Sequence, residues 1–442
     1  MKVNLITLGC SKNTVDTENI AGHLRDAGHL VYFERDKNDC DIVIINTCGF
    51  IGDAKEESVN MLLQQINDKT NFQRRHNKDG RSRLLIALGC LVERYRDELV
   101  NEMPEIDAWY GVHEWEAIVA DTLRWADQSA SCQKPFTAAR KLSTPKHYAY
   151  LKIAEGCNRS CSYCAIPLIR GKHQSRPIDE LVNEAQQLVA QGVKEIIVIA
   201  QDTTYYGVDI YGHRALGQLL DRLATESGAQ WIRLHYTYPT SFPIDAIDAI
   251  RRHDNICNYI DIPLQHINSR ILKSMQRGID REGTLNLLRT FREKLPNVSI
   301  RTTLIVGYPG ETEEEFEELK QFVSEAQFDR MGCFAYSPEE GTPAEPLGDP
   351  IPEDEKQRRV SELMAIQEKI SLAKNEQRVG RDFRVLVDRA EGDYYIGRTE
   401  FDSPEVDDEV IIASHHTLTI GEFYQVRITQ ALENDLYADI IE

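Results

Sequence analysis

The sequence predicts an α/β protein in three parts: an N-terminal parallel α/β domain, a central partial (β/α)6 barrel and a C-terminal small antiparallel β-barrel. Three observations carry this expectation. Short apolar runs alternate with amphipathic segments near the N-terminus, six strand-then-helix repeats follow, and the final stretch shortens to closely spaced strands. At 442 residues the chain is also longer than one hydrophobic core supports.

Residues 1–133 make the first part. "VNLITLG", "DIVIINT" and "LLIALG" read as buried strands, "TENIAGHLRDAG" as a helix stopped by Gly28, and a second helix follows Asp53. "NDKTNFQRRHNKDGRSR" reads as a polar surface loop whose Arg74, Arg75, Arg81 and Arg83 either touch RNA or are an unremarkable insertion. Residues 134–146, "KPFTAARKLSTPK", have the Pro and polar content of a linker. The second part, 147–377, takes its strands from "HYAYLKIAEG", "KEIIVIA", "WIRLHY", "YIDIPL", "VSIRTTLIVG" and "RMGCFAYS", and the working face of such a barrel lies at the carboxyl ends of its strands. Within it, Thr312 and Glu315 form a capping box that starts a helix. A Pro-rich passage and a long charged helix lead into residues 378–442, where "DFRVLVDRA", "YYIGRTEFD", "DEVIIA", "FYQVRITQAL" and "DLYADII" are the strands of the small barrel.

Composition narrows the function. The hydrophobic fraction is 41%, no run approaches the length of a membrane span, and the N-terminus reads as a first strand without a cleavable signal. Seventy-one acidic against 51 basic side chains give a net charge of -20, the wrong sign for a surface that grips phosphate backbones throughout. Ten cysteines in such a chain point to metal binding or chemistry rather than to a disulfide framework, and the cytoplasm is the expected compartment.

"GCNRSCSYC" places Cys157, Cys161 and Cys164 on one loop with no fourth cysteine nearby. Three thiolates wrap one corner of an iron–sulfur cube and leave the fourth iron open, and an open coordination site marks a reactive centre. A zinc knuckle completed by His173 or a distant cysteine, or three core thiols, are the bland readings. A second trio, Cys10, Cys48 and Cys90, follows the apolar strands "LITLG", "VIINT" and "LIALG". Carboxyl ends of parallel strands gather along one edge, so these thiols are expected to converge, with neighbouring glycines allowing close approach of a bulky inorganic group. Burial as ordinary core thiols is the alternative for these too. Cys40, Cys132, Cys257 and Cys333 have no such context.

The loop "CNRSCSYC" resembles that of the radical S-adenosylmethionine (SAM) superfamily. That resemblance implies a 4Fe-4S cluster on Cys157, Cys161 and Cys164 whose open iron is chelated by SAM, and whose reduction cleaves SAM to a 5'-deoxyadenosyl radical. It further places Gln201 and Asp202 against the methionine amino group, Tyr163 along the adenine, Gln265 near the ribose, and Gly307 of "LIVGYPGET" in a backbone wall. Each of these five is otherwise an ordinary loop residue. The three-part organisation, with "TLGCSKNTVDTEN" and "FAYSPEEGTPA", is similar to the methylthiotransferase family, in the branch that modifies a ribosomal protein, with the C-terminal barrel as a TRAM domain.

The narrower resemblance implies a second 4Fe-4S cluster on Cys10, Cys48 and Cys90, and a methylthio group placed on the β-carbon of an aspartate in small-subunit ribosomal protein twelve. A reductant and a sulfur donor are then required partners, and no membrane is involved. Radical chemistry suits that target, because a β-proton beside an ionised carboxylate is too weakly acidic for a side-chain base near neutral pH. Residues 378–442 hold 6 basic against 15 acidic side chains. This balance repels phosphate and suits a basic protein partner, so direct nucleic-acid binding is not expected as the main role. "FDSPEVDDE" either contributes to such a face or is a solvated acidic loop. The remaining alternatives are a tRNA adenosine substrate and a non-catalytic iron–sulfur or zinc scaffold for ribosome assembly. His415 and His416 are adjacent, a poor arrangement for chelating one metal.

Overall fold

Five short apolar runs near the N-terminus become one parallel sheet: β1 (Lys2–Thr7), β2 (Leu30–Phe33), β3 (Ile42–Thr47), β4 (Leu84–Gly89) and β5 (Ala108–Tyr110), in the order β2-β1-β3-β4-β5. The computed structural model describes residues 1–37, 39–76, 82–125, 140–413 and 417–441. Cys132, Arg81, His415, His416 and residues 134–139 of the expected linker lie outside them. Strands β3 and β4 are buried along their whole length, which is why they read as unbroken apolar runs. Helices α1 (Ser11–Asp26) and α4 (Trp115–Trp125) supply Ile20, Leu24, Ile118 and Leu123 to the core on one face. On the other face, α2 (Gly52–Arg75) and α3 (Cys90–Glu102) contribute Leu62, Leu91 and Leu99.

Two sequence expectations change in this unit. The basic stretch expected to be a loop is helical to Arg75, because Leu62, Gln65, Lys69 and Phe72 keep a buried stripe at helical spacing. Lys69 Nζ donates to the Asp107 carboxylate at 2.7 Å, and Arg83 is buried, stacked 4.5 Å over the Phe72 ring and donating to the Cys40 carbonyl, so neither is a free surface cation. The end of the expected linker is likewise held. Arg140 pairs with the fully buried Glu18 of α1 at 3.1 Å, and Ser143 donates to the same carboxylate.

Packing divides the chain into two units, the first comprising residues 1–143 with 156–158 and 165–172, the second the remainder. The short helix α5 (Ile166–Arg170) thus belongs with the N-terminal sheet. In the second unit, β6 (Tyr148–Lys152) is followed by a small antiparallel ladder of β7 (Ala154–Glu155) and β8 (Gln174–Ser175). Then come β9 (Glu195–Ile199), β10 (Trp231–Leu234), β11 (Tyr259–Asp261), β12 (Ser299–Val306) and β13 (Arg330–Ala335). The six expected barrel strands are all present and parallel. They form two three-stranded sheets, β10-β9-β6 and β11-β12-β13, with a parallel bridge from Ile232 to Ile256 just before β11. The capping box at Thr312 and Glu315 starts the helix Glu313–Ala326 as expected.

The last five strands, β14 (Asp382–Glu391), β15 (Tyr394–Arg398), β16 (Glu409–Ala413), β17 (Phe423–Ala431) and β18 (Asp435–Ile440), close into a barrel in the order β14-β15-β16-β18-β17. Its pairs are antiparallel except β16 with β18, which runs parallel. The "FDSPEVDDE" loop before β16 is neither a solvated acidic loop nor a face for a partner at its aspartates. Asp402 and Asp408 are buried and share Arg330 at 2.6 and 2.9 Å, while Asp407 pairs with Arg301 at 3.2 Å and accepts from the Tyr259 hydroxyl at 2.7 Å. Beside them, Arg233 and Arg398 flank the Glu195 carboxylate at 2.7 and 2.8 Å, all three buried. Glu195, Tyr259 and Arg330 each begin a central strand. The small barrel therefore seals the amino ends of these strands, opposite the face expected to work.

Among the described residues no helix is long and apolar enough to cross a membrane. Arg330→Met leaves two carboxylates buried without their shared cation and is expected to cost about 3–5 kcal/mol, read as a lower urea midpoint of the full chain.

Candidate functional site

Strands β1, β3 and β4 are neighbours in the first sheet, and a cysteine follows the end of each, Cys48 and Cys90 directly and Cys10 three residues after Thr7. This is the edge where the strand order reverses, the usual ligand crevice of an open parallel sheet. Glycines bring the ends together. A Cβ on Gly9 would lie 2.6 Å from Cys48 Cβ and 2.8 Å from its Sγ, and one on Gly89 would lie 2.5 Å from both Asn46 Oδ1 and Thr47 O. Both glycines have positive φ, +89° and +105°, so a side chain is excluded by backbone as well as by space.

Side-chain hydrogen bonds fix the register of this edge. Asn13, in the first turn of α1 and wholly buried, donates through Nδ2 to Leu8 O at 2.8 Å and Thr47 O at 3.2 Å, tying the end of β1 to that of β3. Thr47 Oγ1 donates to Leu88 O at 2.6 Å, tying β3 to β4. Ser58 Oγ accepts from Cys48 N and donates to Cys48 O, both at 2.9 Å. Cys10 stands at the N-cap position of α1 and Cys90 opens α3, so two of the three cysteines lie at helix amino ends. Burial raises the Cys48 thiol and pushes Cys90 up to about 12, with the Arg170 guanidinium pulling the latter down. Cys10 is exposed and the other two are buried.

The second trio sits on the loop after β7. In the first unit, Cys157 N donates to Gly171 O at 3.1 Å. In the second unit, Cys161 and Cys164 close a turn, Cys164 N donating to Cys161 O at 3.1 Å, and Ser162 is held by Met275 O, Ser274 O and the Tyr308 hydroxyl. Cys161 Sγ lies 3.3 Å from Nη1 of the buried Arg277 and 3.4 Å from the Tyr238 hydroxyl. The Tyr238 ring is flanked by two guanidinium groups, Arg159 at 4.0 Å and Arg277 at 4.1 Å. None of these three partners stood out in the sequence. A cation beside an expected metal thiolate is legible only once the fold has placed it.

The five residues matched to SAM contacts lie at carboxyl ends of central strands or on the cysteine loop. Burial drives the Tyr163 hydroxyl far above its ordinary value; it accepts from Arg277 Nη1 at 3.2 Å. Asp202 is 1% exposed and committed internally, to Arg159 at 2.6 Å and to Thr204 N at 2.9 Å. Gln201 Nε2 donates to Glu155 at 2.7 Å, whereas Gln201 Oε1 and Gln265 Oε1 are buried and meet no donor among the described residues. An acceptor cut off from water without a partner is costly, and a ligand donor supplies what is missing. Gln265 also holds φ +75°, a conformation rarely kept without a reason. Gly307 abuts Lys356, whose Cγ would lie 2.3 Å from an added Cβ, and its N–H is taken by Glu311, so it is part of a packed wall. Glu311 is itself buried between His266 and Arg359. No three His, Cys, Asp or Glu side chains converge on a single ion among the described residues; thiols that each take a different iron of one cluster need not do so. Cys40 and Cys257 are buried and Cys333 half-buried.

Three family models match successive stretches: "Uncharacterized protein family UPF0004" over residues 2–111, "Radical SAM superfamily" over 151–323 and "TRAM domain" over 379–441. Among curated relatives, a protein of Phocaeicola vulgatus named "Ribosomal protein uS12 methylthiotransferase RimO" is 50% identical over 441 residues, covering 99% of both chains. One of the same name from Flavobacterium johnsoniae is 51% identical over 440 residues, covering 99% of this chain and 98% of its own. Among solved structures, the radical SAM methyltransferase TsrM of Kitasatospora setae aligns with TM-score 0.57 at 14% identity, covering 88% of this chain and 79% of its own, a likeness of fold alone.

Gly9→Ala is expected to push Cys48 away from Cys10, costing about 1–3 kcal/mol of backbone strain and lowering iron uptake after anaerobic reconstitution. Far-ultraviolet circular dichroism would show the fold retained.

Proposed function

The chain belongs to the ribosomal protein uS12 methylthiotransferase family of the radical SAM superfamily, and from that premise we propose how its two cysteine trios divide the work. The substrate is the basic ribosomal protein uS12, and the methylthio group goes to the β-carbon of an aspartate. Cys157, Cys161 and Cys164 would hold one 4Fe-4S cluster, the one that works with SAM; Cys10, Cys48 and Cys90 would hold a second. The observation that supports this most is the placing of three cysteines after the carboxyl ends of three adjacent strands. Two incomplete thiol sets fit two tasks.

When bound, the clusters and SAM supply the electron, the radical and the sulfur for the transfer. The chain's own groups bind and orient. Gln201 Oε1 and Gln265 Oε1 are free to accept from SAM's ammonium and ribose hydroxyls, with Tyr163 and Gly307 as walls. Asp202 acts indirectly, by holding Arg159 against Tyr238. Tyr238 and Arg277 cover Cys161, which is 8% exposed, and keep water from that sulfur. On the outer surface of the C-terminal barrel, Asp393, Glu433 and Asp439 are exposed and suit a basic protein. A cytoplasmic reductant and a sulfur donor complete the cycle. The tRNA and scaffold alternatives are not favoured, since the curated relatives are named for uS12.

Cys157→Ala is expected to abolish 5'-deoxyadenosine formation with dithionite and SAM. Cys10→Ala should keep that cleavage while stopping methylthio transfer; loss of both from a folded protein would argue against separate roles. In cells lacking the chain, mass spectrometry of ribosomal proteins should find uS12 without its methylthio mass shift, and an unchanged uS12 would refute the substrate.

A further inference from the structure

Arg170 ends the short helix α5 and has a side chain only 2% exposed. Its fork is fully directed. Nη1 donates to Asp16 Oδ2 at 2.9 Å, and Nη2 reaches Asn13 Oδ1 at 2.5 Å and Cys90 Sγ at 3.6 Å. Asn13 is the amide that ties the ends of β1 and β3, and its Oδ1 is also 3.8 Å from Cys90 Sγ. Helix α5 is held in place by Ala165 and Ile169, both buried against Cys90 and Val112. One guanidinium thus touches the third thiol and the side chain that positions the strands bearing the other two.

Burying a guanidinium is costly unless anions and acceptors surround it. Asp16 offsets the charge from one side, and the second nitrogen is spent on an amide oxygen and a sulfur. A neutral thiol is a weak acceptor; a metal-bound thiolate accepts a charge-assisted bond. Cys90 Sγ is placed to donate to Asn13 Oδ1 as a neutral thiol and to accept from Arg170 Nη2 as a metal-bound thiolate.

We propose that Arg170 is a positioning residue of the three-thiol site, whose guanidinium donates to the Cys90 thiolate and sets the reduction potential of the cluster held there. This rests on the reading that Cys10, Cys48 and Cys90 bind a 4Fe-4S cluster. Reduction adds a negative charge to the cluster, so a buried cation bonded to one of its sulfurs stabilises the reduced state and raises the potential. Asp16, on the far side of the same guanidinium, acts in the opposite sense.

The test uses the full chain with Cys157, Cys161 and Cys164 all changed to Ala, so that a single cluster is titrated. Iron is counted and the midpoint potential is followed by electron paramagnetic resonance. A parent without bound iron overturns the site reading and the inference with it. With about four irons retained, Arg170→Met is expected to move the midpoint negative and Asp16→Asn to move it positive, while Arg170→Lys falls between Arg170→Met and the parent. A purely structural salt bridge predicts no such opposed pair. Midpoints unmoved in both variants, or moved in the same direction, overturn the proposal. Should Arg170→Met fail to hold iron, Asp16→Asn decides alone: a positive shift supports the assignment and its absence overturns it.

Discussion

The three-thiol edge depends on one buried side-chain amide. Strands in a parallel sheet do not end level with one another by default, and the cluster proposed here would need its ligands from three of them within one small volume. Asn13 imposes that condition by bonding the last carbonyls of β1 and β3 at once, and Thr47 extends it to β4. Gly9 and Gly89 then remove the side chains that would hold the ends apart. The local cost is real. Asn is a poor residue for a helical first turn already past its cap, and burying it fully makes sense only because its hydrogen bonds are met.

The two cysteine trios proposed as cluster ligands are assembled in different ways. The loop trio relies on covalent proximity, three thiols within nine residues, stiffened by the bonds to Ser162. The strand trio draws its members from positions eighty residues apart and relies on sheet order. Both place a guanidinium on a sulfur, Arg277 on Cys161 and Arg170 on Cys90. Arginine suits this role because it stays charged in a buried site and its planar fork can bond several acceptors at once.

Much of this was legible in the sequence, and the parts that were not share a cause. Periodicity and composition located the parallel sheet, all six central strands and the five barrel strands, and strand context alone picked Cys10, Cys48 and Cys90 from ten cysteines. Charge was less readable. The basic residues after Asp68 looked like a solvated loop, yet Lys69 and Arg83 turn inward to partners distant in sequence. The acids of "FDSPEVDDE" looked like an exposed patch, yet Asp402, Asp407 and Asp408 are buried against Arg301 and Arg330. A charged residue's partner lies wherever the fold brings it, so sequence reports its sign but not its direction. Asn13, Arg170 and Arg277 escaped notice for the same reason.

The seal beneath the central strands constrains how this architecture can change. Small β-barrels are commonly regarded as portable attachments, added or replaced to redirect an enzyme toward another macromolecule. Here the attachment carries the counter-ions of the catalytic body. A foreign barrel with a suitable recognition groove would arrive without Asp402 and Asp408, stranding Arg330 in a dry interior, and would leave Arg301 with Asp261 alone. Recognition can therefore diverge on the outer wall of the barrel, while the nine residues from Phe401 to Glu409 must travel with the enzyme.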